Sequence, residues 1–243
     1  ANHLGARGIT PDDRVGLCLR PSPEVLVALL AAIKAGAAYV PIDPSYPAQR
    51  IAYMLADAGA GLLLTDAATA AQMNGVEVPV CRLDADAEEI AQASDAAPSA
   101  RPGPDDLLYV IYTSGSTGQP KGAGVYHRGF ANLLQWYLRT LDLGPEDRGL
   151  LVSALGFDLT QKNLFAPLLA GAALHLSPDS SYDPAAIRAR IADEEITWIN
   201  CTPSTFYPIV ESAGRHGYAD LASLRWVVLG GEPIQTARLA PWL

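Results

Sequence analysis

Positive charge is the first thing this sequence has little of. Lys and Arg number 17 against 26 Asp and Glu, a formal net charge of −9. With no basic run to offset that balance, the footprint of a nucleic-acid or anionic-membrane binder is missing. Any bound anion must be held by local loop geometry. No apolar stretch approaches the roughly 20 residues that cross a bilayer, and the longest candidate, Val25 to Ala38, is interrupted by Lys34 and Gly36. The opening ANHLGARG lacks the pattern of a secretory signal. Cysteine is scarce too: Cys18, Cys81 and Cys201 are odd in number, widely spaced and set in apolar segments, with no CxxC and no clustered His. This argues against disulfides and a zinc site and fits a reducing cytoplasm.

Core material, by contrast, is ample. Of 243 residues 49% are apolar and 18% charged, enough for one large domain or two subdomains and too hydrophobic for disorder. Short apolar runs alternate with helical patterns. VGLCLR (15–20), AAYVPID (37–43) and GLLLT (61–65) read as buried strands, separated by helices over 22–36 and 47–59. In the first helix Ser22 suits the N-cap and Pro23 the first turn, with Val25, Leu26, Leu29, Leu30 and Ile33 on one face. Ile51, Met54, Leu55 and Ala58 form the inward face of the second. Between Asp84 and Asp106 periodicity fades and PSARPGPDD signals a linker. Beyond it LLYVIY, GLLVS, ALHLS, ITWIN and RWVVL are strands, with helices over 128–141, 158–170, 184–194 and 204–212. The expected architecture is α/β, two doubly wound subdomains covering residues 1–100 and 101–243. Apart from this alternation no internal repeat stands out.

YTSGSTGQPKG (112–122) is the most informative stretch. Glycines let backbone N–H groups converge on an anion, the hydroxyls of Thr113, Ser114, Ser116 and Thr117 add donors, and Lys121 adds a point charge, which together suit a polyphosphate. GxxxxGK[ST] cannot be placed on it, so this is not a Walker A loop. A flexible Ser/Gly linker is the plain alternative, opposed by the apolar LLYVIY before it and the stiffer Pro120-Lys121-Gly122 after it.

The stretch resembles the phosphate-binding signature of the adenylate-forming superfamily, which includes acyl-CoA synthetases, luciferases and the amino-acid adenylation domains of nonribosomal peptide synthetases. The resemblance implies that Thr113, Ser114, Gly115, Ser116, Thr117, Gly118 and Lys121 close over the phosphates of ATP. IKAGAAYVPIDPSYPAQRIAYML (33–55) looks like a segment of peptide-synthetase adenylation domains in particular. Phe157-Asp158-Leu159-Thr160 resembles the motif whose Asp pairs with the α-ammonium group of an amino acid. A partly buried carboxylate facing a cation is a contact that a fatty or aryl acid leaves unpaired, at a cost of several kcal/mol; alternatively Asp158 only caps the helix after it.

CTPSTF (201–206) and VVLGGEPI (227–234) look like the next two elements of the family, the latter a turn at which Gly230 and Gly231 bring backbone against adenine and substrate. Glu232 is either part of that turn or a helix cap. The resemblance places Phe157, Asp158, Leu159, Lys162, Asn200, Val228 and Gly230 along the substrate pocket. Lys162 stands four residues after Asp158, so it pairs with it, reaches solvent, or, with Asn200, reads a polar or acidic group on the substrate. His127 is a packing or capping residue rather than a base.

The implied chemistry is attack of an amino-acid carboxylate on the α-phosphorus of ATP, followed by transfer to the phosphopantetheine thiol of a carrier protein amid neighbouring synthetase domains. An acyl- or aryl-CoA ligase, or a non-catalytic subdomain, are the alternatives. The family's metal-associated Glu for Mg2+, its ribose-binding Asp and its C-terminal Lys have no counterpart in the 243 residues, so no metal ligand is expected among them, and the chain by itself is expected to be inactive.

Overall fold

The computed structural model describes residues 1–113, 119–177 and 182–243. They form two compact units, residues 1–132 and 133–243. In the first unit β1 (Arg14–Cys18), β2 (Ala38–Pro41), β3 (Ala60–Thr65), β4 (Val80–Arg82), β5 (Leu107–Thr113) and β6 (Lys121–Tyr126) form a sheet of order β4-β3-β1-β2-β5-β6. All neighbours are parallel except β5 and β6. In the second, β7 (Arg148–Leu151), β8 (Ala173–Leu176), β9 (Trp198–Cys201) and β10 (Trp226–Leu229) form a parallel sheet of order β10-β9-β7-β8. Helices are α1 (Asn2–Ala6), α2 (Pro23–Lys34), α3 (Ala48–Asp57), α4 (Ala67–Ala70), α5 (Ala87–Ala91), α6 (His127–Leu141), α7 (Asp158–Ala170), α8 (Pro184–Asp193), α9 (Pro203–Gly214) and α10 (Thr236–Leu239).

The α/β class and crossover pattern agree with the sequence. The division does not fall near residue 100: β5 pairs with β2, and β6 with β5, so the chain after the Pro-rich segment completes the first sheet. Because KGAGVY holds two glycines, it reads as loop by propensity; it becomes a strand because β5 supplies a ladder for it. The buried face of α2 also differs from the expected one. Val25, Ala28, Leu29 and Ala32 are buried while Leu30 is 38% exposed, since small alanines let a helix lie close against its neighbours.

A turn recurs that the sequence reading missed. TPDD (10–13), GPDD (103–106) and GPED (144–147) precede β1, β5 and β7. In each the last residue's N–H donates to the first residue's carbonyl, at 3.1, 3.2 and 3.0 Å. The first residue's N–H in return donates to the closing Asp carboxylate, at 2.7, 2.6 and 2.9 Å. Proline at the second position presets the turn and the Asp closes it.

The second unit packs Leu150, Ile199, Phe206 and Ile209 at its centre. Trp198 is buried with its indole N–H donating to the Tyr137 hydroxyl at 2.9 Å. A Cβ on Gly149 would lie 2.5 Å from that indole, so glycine there makes room for the ring. Cys18, Cys81 and Cys201 are free and buried, and burial pushes the Cys18 and Cys201 thiols up to about 12. Among the described residues no helix is long and apolar enough to cross a membrane.

Candidate functional site

From β7 the second unit's chain runs through α7 to β8 on one side, then through α8 to β9 on the other. The carboxyl ends of β7 and β9 therefore flank a switch point, the place where parallel α/β sheets hold ligands. Residues 152–157 connect β7 to α7 there. The Thr160 hydroxyl donates to Ala154 O at 2.8 Å, and the Gln161 amide to Leu155 O at 2.7 Å and Phe157 O at 3.1 Å. Two buried polar side chains on the first turn of α7 thus fold the preceding loop back and set where Phe157 and Asp158 stand.

Phe157 is the N-cap and is 55% exposed. Asp158 is the first helical residue and exposed, with one carboxylate oxygen accepting the Leu159 N–H at 2.6 Å. Neither expected description fits unchanged. Asp158 is not the N-cap, and it is not buried, so leaving it unpaired costs little until a ligand covers it. Lys162 is half-buried, and no ion pair joins it to Asp158 among the described residues. Burial lowers its ammonium from the ordinary lysine value, while the Asp158 charge opposes that shift.

Asn200, 2% exposed at the end of β9, is locked to α7. The Asn163 amide donates to the Asn200 backbone carbonyl at 2.8 Å, which fixes the Asn163 side-chain oxygen as the acceptor for Asn200 Nδ2, also at 2.8 Å. Nδ2 lies 3.4 Å from Leu159 O as well. The donor side of Asn200 is therefore committed, and only its oxygen is left for another group.

Val228 and Gly230 are half-buried at the end of β10. The Gly230 N–H donates to Cys201 O at 3.2 Å, and a Cβ there would meet nothing within 4 Å, so the glycine leaves open space beside the strand end. Gly231 has φ +83, a left-handed conformation, and a Cβ on it would lie 3.6 Å from Thr202 and 3.9 Å from Leu159. Glu232 caps a helix, but not the one that follows it: its carboxylate accepts the Ser204 N–H at 3.0 Å and hydroxyl at 2.7 Å, on the first turn of α9. An acceptor at a helix N-terminus satisfies an otherwise free N–H and meets the positive end of the dipole. It ties the β10 turn to the β9 turn. The fold thus brings together Leu159, Asn200, Gly231 and Glu232; Thr160, Gln161, Asn163 and Ser204, which sequence reasoning missed, hold them. The available signal was the run of polar residues Thr160, Gln161, Lys162 and Asn163, more than a solvent-facing stripe needs on a helix whose second half is apolar.

In the first unit, Ser114, Gly115, Ser116, Thr117 and Gly118 lie outside the described residues. Their flanks are placed: Thr113 pairs with Lys121 and Tyr112 with Gly122 in the antiparallel ladder, and Thr113 and Lys121 are both exposed. The stretch therefore joins two strands rather than a strand and a helix. His127 opens α6, its N–H donating to Asp106 O at 3.1 Å, and burial lowers its imidazole from 6.5.

A strand-flanked Thr/Ser/Gly stretch ending in Lys121 fits what the whole chain matches. The chain belongs to the AMP-binding enzyme family, whose model matches residues 1–243. It is 42% identical over 241 residues to tyrocidine synthase 3 of Brevibacillus parabrevis, covering 97% of this chain and 4% of that protein. It is 40% identical over 236 residues to gramicidin S synthase 2 of Aneurinibacillus migulanus, covering 96% of this chain and 5% of that protein. Among solved structures, the AMPPNP-bound form of the nonribosomal peptide synthetase FmoA3 superposes with a TM-score of 0.91 at 35% identity, over 99% of this chain and 25% of that one. The resemblance read from residues 112–122 is borne out for the family, and the matches to peptide synthetases agree with the branch read from residues 33–55. The chain spans a small part of these relatives' length.

Proposed function

We propose that the protein carrying this chain activates an amino acid with ATP. A carboxylate oxygen of the amino acid attacks the α-phosphorus, the bond to the bridging oxygen of pyrophosphate breaks, and an aminoacyl adenylate forms. A carrier-protein phosphopantetheine thiol then attacks the acyl carbon, releasing AMP and giving its proton to solvent. Bringing two anions together demands positioning and charge neutralisation, which this reading assigns to Thr113, Ser114, Gly115, Ser116, Thr117, Gly118 and Lys121. Mg2+ bound with ATP would add to the charge neutralisation at the phosphates. Carrier protein and neighbouring synthetase domains are the partners in this reading.

The observation that carries the amino-acid substrate is Asp158, an exposed carboxylate on the first turn of α7 at the switch point. There it can pair with an α-ammonium group. Leu159, Lys162, Asn200, Val228 and Gly230 line the side-chain end, Phe157 the entrance, and Gly231 and Glu232 the adenine-side turn. A partly desolvated ammonium at Lys162 favours a polar or acidic substrate side chain. ATP–pyrophosphate exchange across a panel of amino acids, with the full natural-length protein that carries these residues, tests this. Asp158→Ala is expected to lower amino-acid-dependent exchange by about 10- to 100-fold, the worth of one charge-assisted hydrogen bond. Preference for large apolar side chains would sink the role of Lys162, and exchange driven equally by fatty or aryl acids that of Asp158.

A further inference from the structure

The ends of the 113–121 stretch are fastened to α3, a helix that the functional reading does not use. The Tyr53 hydroxyl donates to the Pro120 carbonyl at 3.3 Å, directly before Lys121. One turn along the same helix, the Asp57 carboxylate accepts the Tyr112 hydroxyl at 2.7 Å, with Met54 O 3.1 Å from the same oxygen. Tyr112 immediately precedes Thr113 and pairs with Gly122. A Cβ on Gly122 would lie 3.1 Å from Val110 Cγ1 and 3.2 Å from Tyr112 Cζ, so this glycine of the motif serves the close packing of β6 on Tyr112.

The ladder alone is a weak anchor. β6 is the last strand in the sheet order and carries glycines at 122 and 124, which lose more conformational freedom on ordering than other residues. Fixing Lys121 needs a second constraint, and the Tyr53 hydroxyl supplies one on the adjacent peptide. We propose that Tyr53 is a positioning residue for the phosphate-binding stretch, setting where Lys121 enters it, while Tyr112 and Asp57 hold the other end. This rests on the reading that the stretch binds ATP.

The Tyr53 ring packs on the cluster around Met54, Leu55 and Tyr112, so Tyr53→Phe keeps the packing and removes only the hydroxyl. With the full natural-length protein, Tyr53→Phe is expected to raise KM for ATP about fivefold, the worth of one hydrogen bond. KM for the amino acid and the thermal midpoint should stay at their wild-type values. A KM for ATP within about twofold of wild type, an equal rise in both KM values, or a loss that follows a lowered midpoint overturns the proposal. Direct ATP titration separates the two levels. A wild type that does not bind ATP overturns the reading of the stretch and this inference with it, whereas a wild type and variant that bind ATP equally well overturn the inference alone.

Discussion

The turns that launch β1 and β7 share a hydrogen-bond pattern and nearly the same letters, TPDDR and GPEDR, yet Asp12 alone of their third residues is left-handed, at φ +69, and their closing carboxylates have different neighbours. Asp13 is half-exposed and, among the described residues, its carboxylate accepts from Thr10 alone, the N–H at 2.7 Å and the hydroxyl at 2.8 Å. Asp147 is 2% exposed; besides the Gly144 N–H it accepts the Thr197 hydroxyl at 2.7 Å and lies 3.3 Å from the Arg225 guanidinium. Those partners stand just before β9 and β10, so one side chain aligns three of the four strands of the smaller sheet. A small sheet concentrates its alignment in one buried polar group, while the six-stranded sheet has no such dependence on Asp13.

The largest test of that contrast is the pair Asp147→Ala and Asp13→Ala. Urea unfolding should show a loss of about 3 kcal/mol for the first, which strands several donors, and about 1 kcal/mol for the second. Equal losses would break the comparison. Next come the glycines early in the same strands. A Cβ at Gly149 would lie 2.5 Å from an indole that Tyr137 holds in place, while one at Gly16 would lie 2.4 Å from a Leu55 methyl that can rotate away. Gly149→Ala is expected to cost about 2 kcal/mol and Gly16→Ala about 1 kcal/mol, read from the same unfolding curves.

The smallest effect concerns pH. His127 in the first unit and His175 in the second both sit below the ordinary 6.5, chiefly through burial, opposed by the charges of Asp106 and Glu194 respectively. The folded protein then binds fewer protons than the unfolded chain, so each contribution is complete above 6.5 and fades as pH falls through the folded value. The thermal midpoint should drop on acidification below 6.5, less so in His127→Gln and His175→Gln, and the two variants apportion the slope between the units. A midpoint that rises on acidification would contradict this sign.

The apolar runs of β1, β2, β3, β5 and β7 to β10 were legible because each is continuous and bounded by turn residues, and α7 because Gly171 ends it in a left-handed C-cap. What misled was local. KGAGVY is a strand only because β5 lies beside it, and the Pro-rich segment is a crossing within one sheet rather than a boundary. Within the site, the spacing of Asp158 and Lys162 on one helix face was readable, but the exposure of one and the half-burial of the other were not. Glu232 could be read as a cap but not as a cap for Ser204, since 28 residues separate them.

By itself, then, the sequence determined the apolar strands and the longer helices, the family through the Thr/Ser/Gly stretch, and the candidate residues on α7. Those follow from periodicity, turn chemistry and a local motif, all written within a few residues of chain. Tertiary structure alone decided that Asp147 would align three strands, that Asn200 would spend its donor on Asn163, and that Tyr53 would reach Pro120. Each is a hydrogen bond between groups far apart in the chain, and such a partner exists only once the sheets have formed.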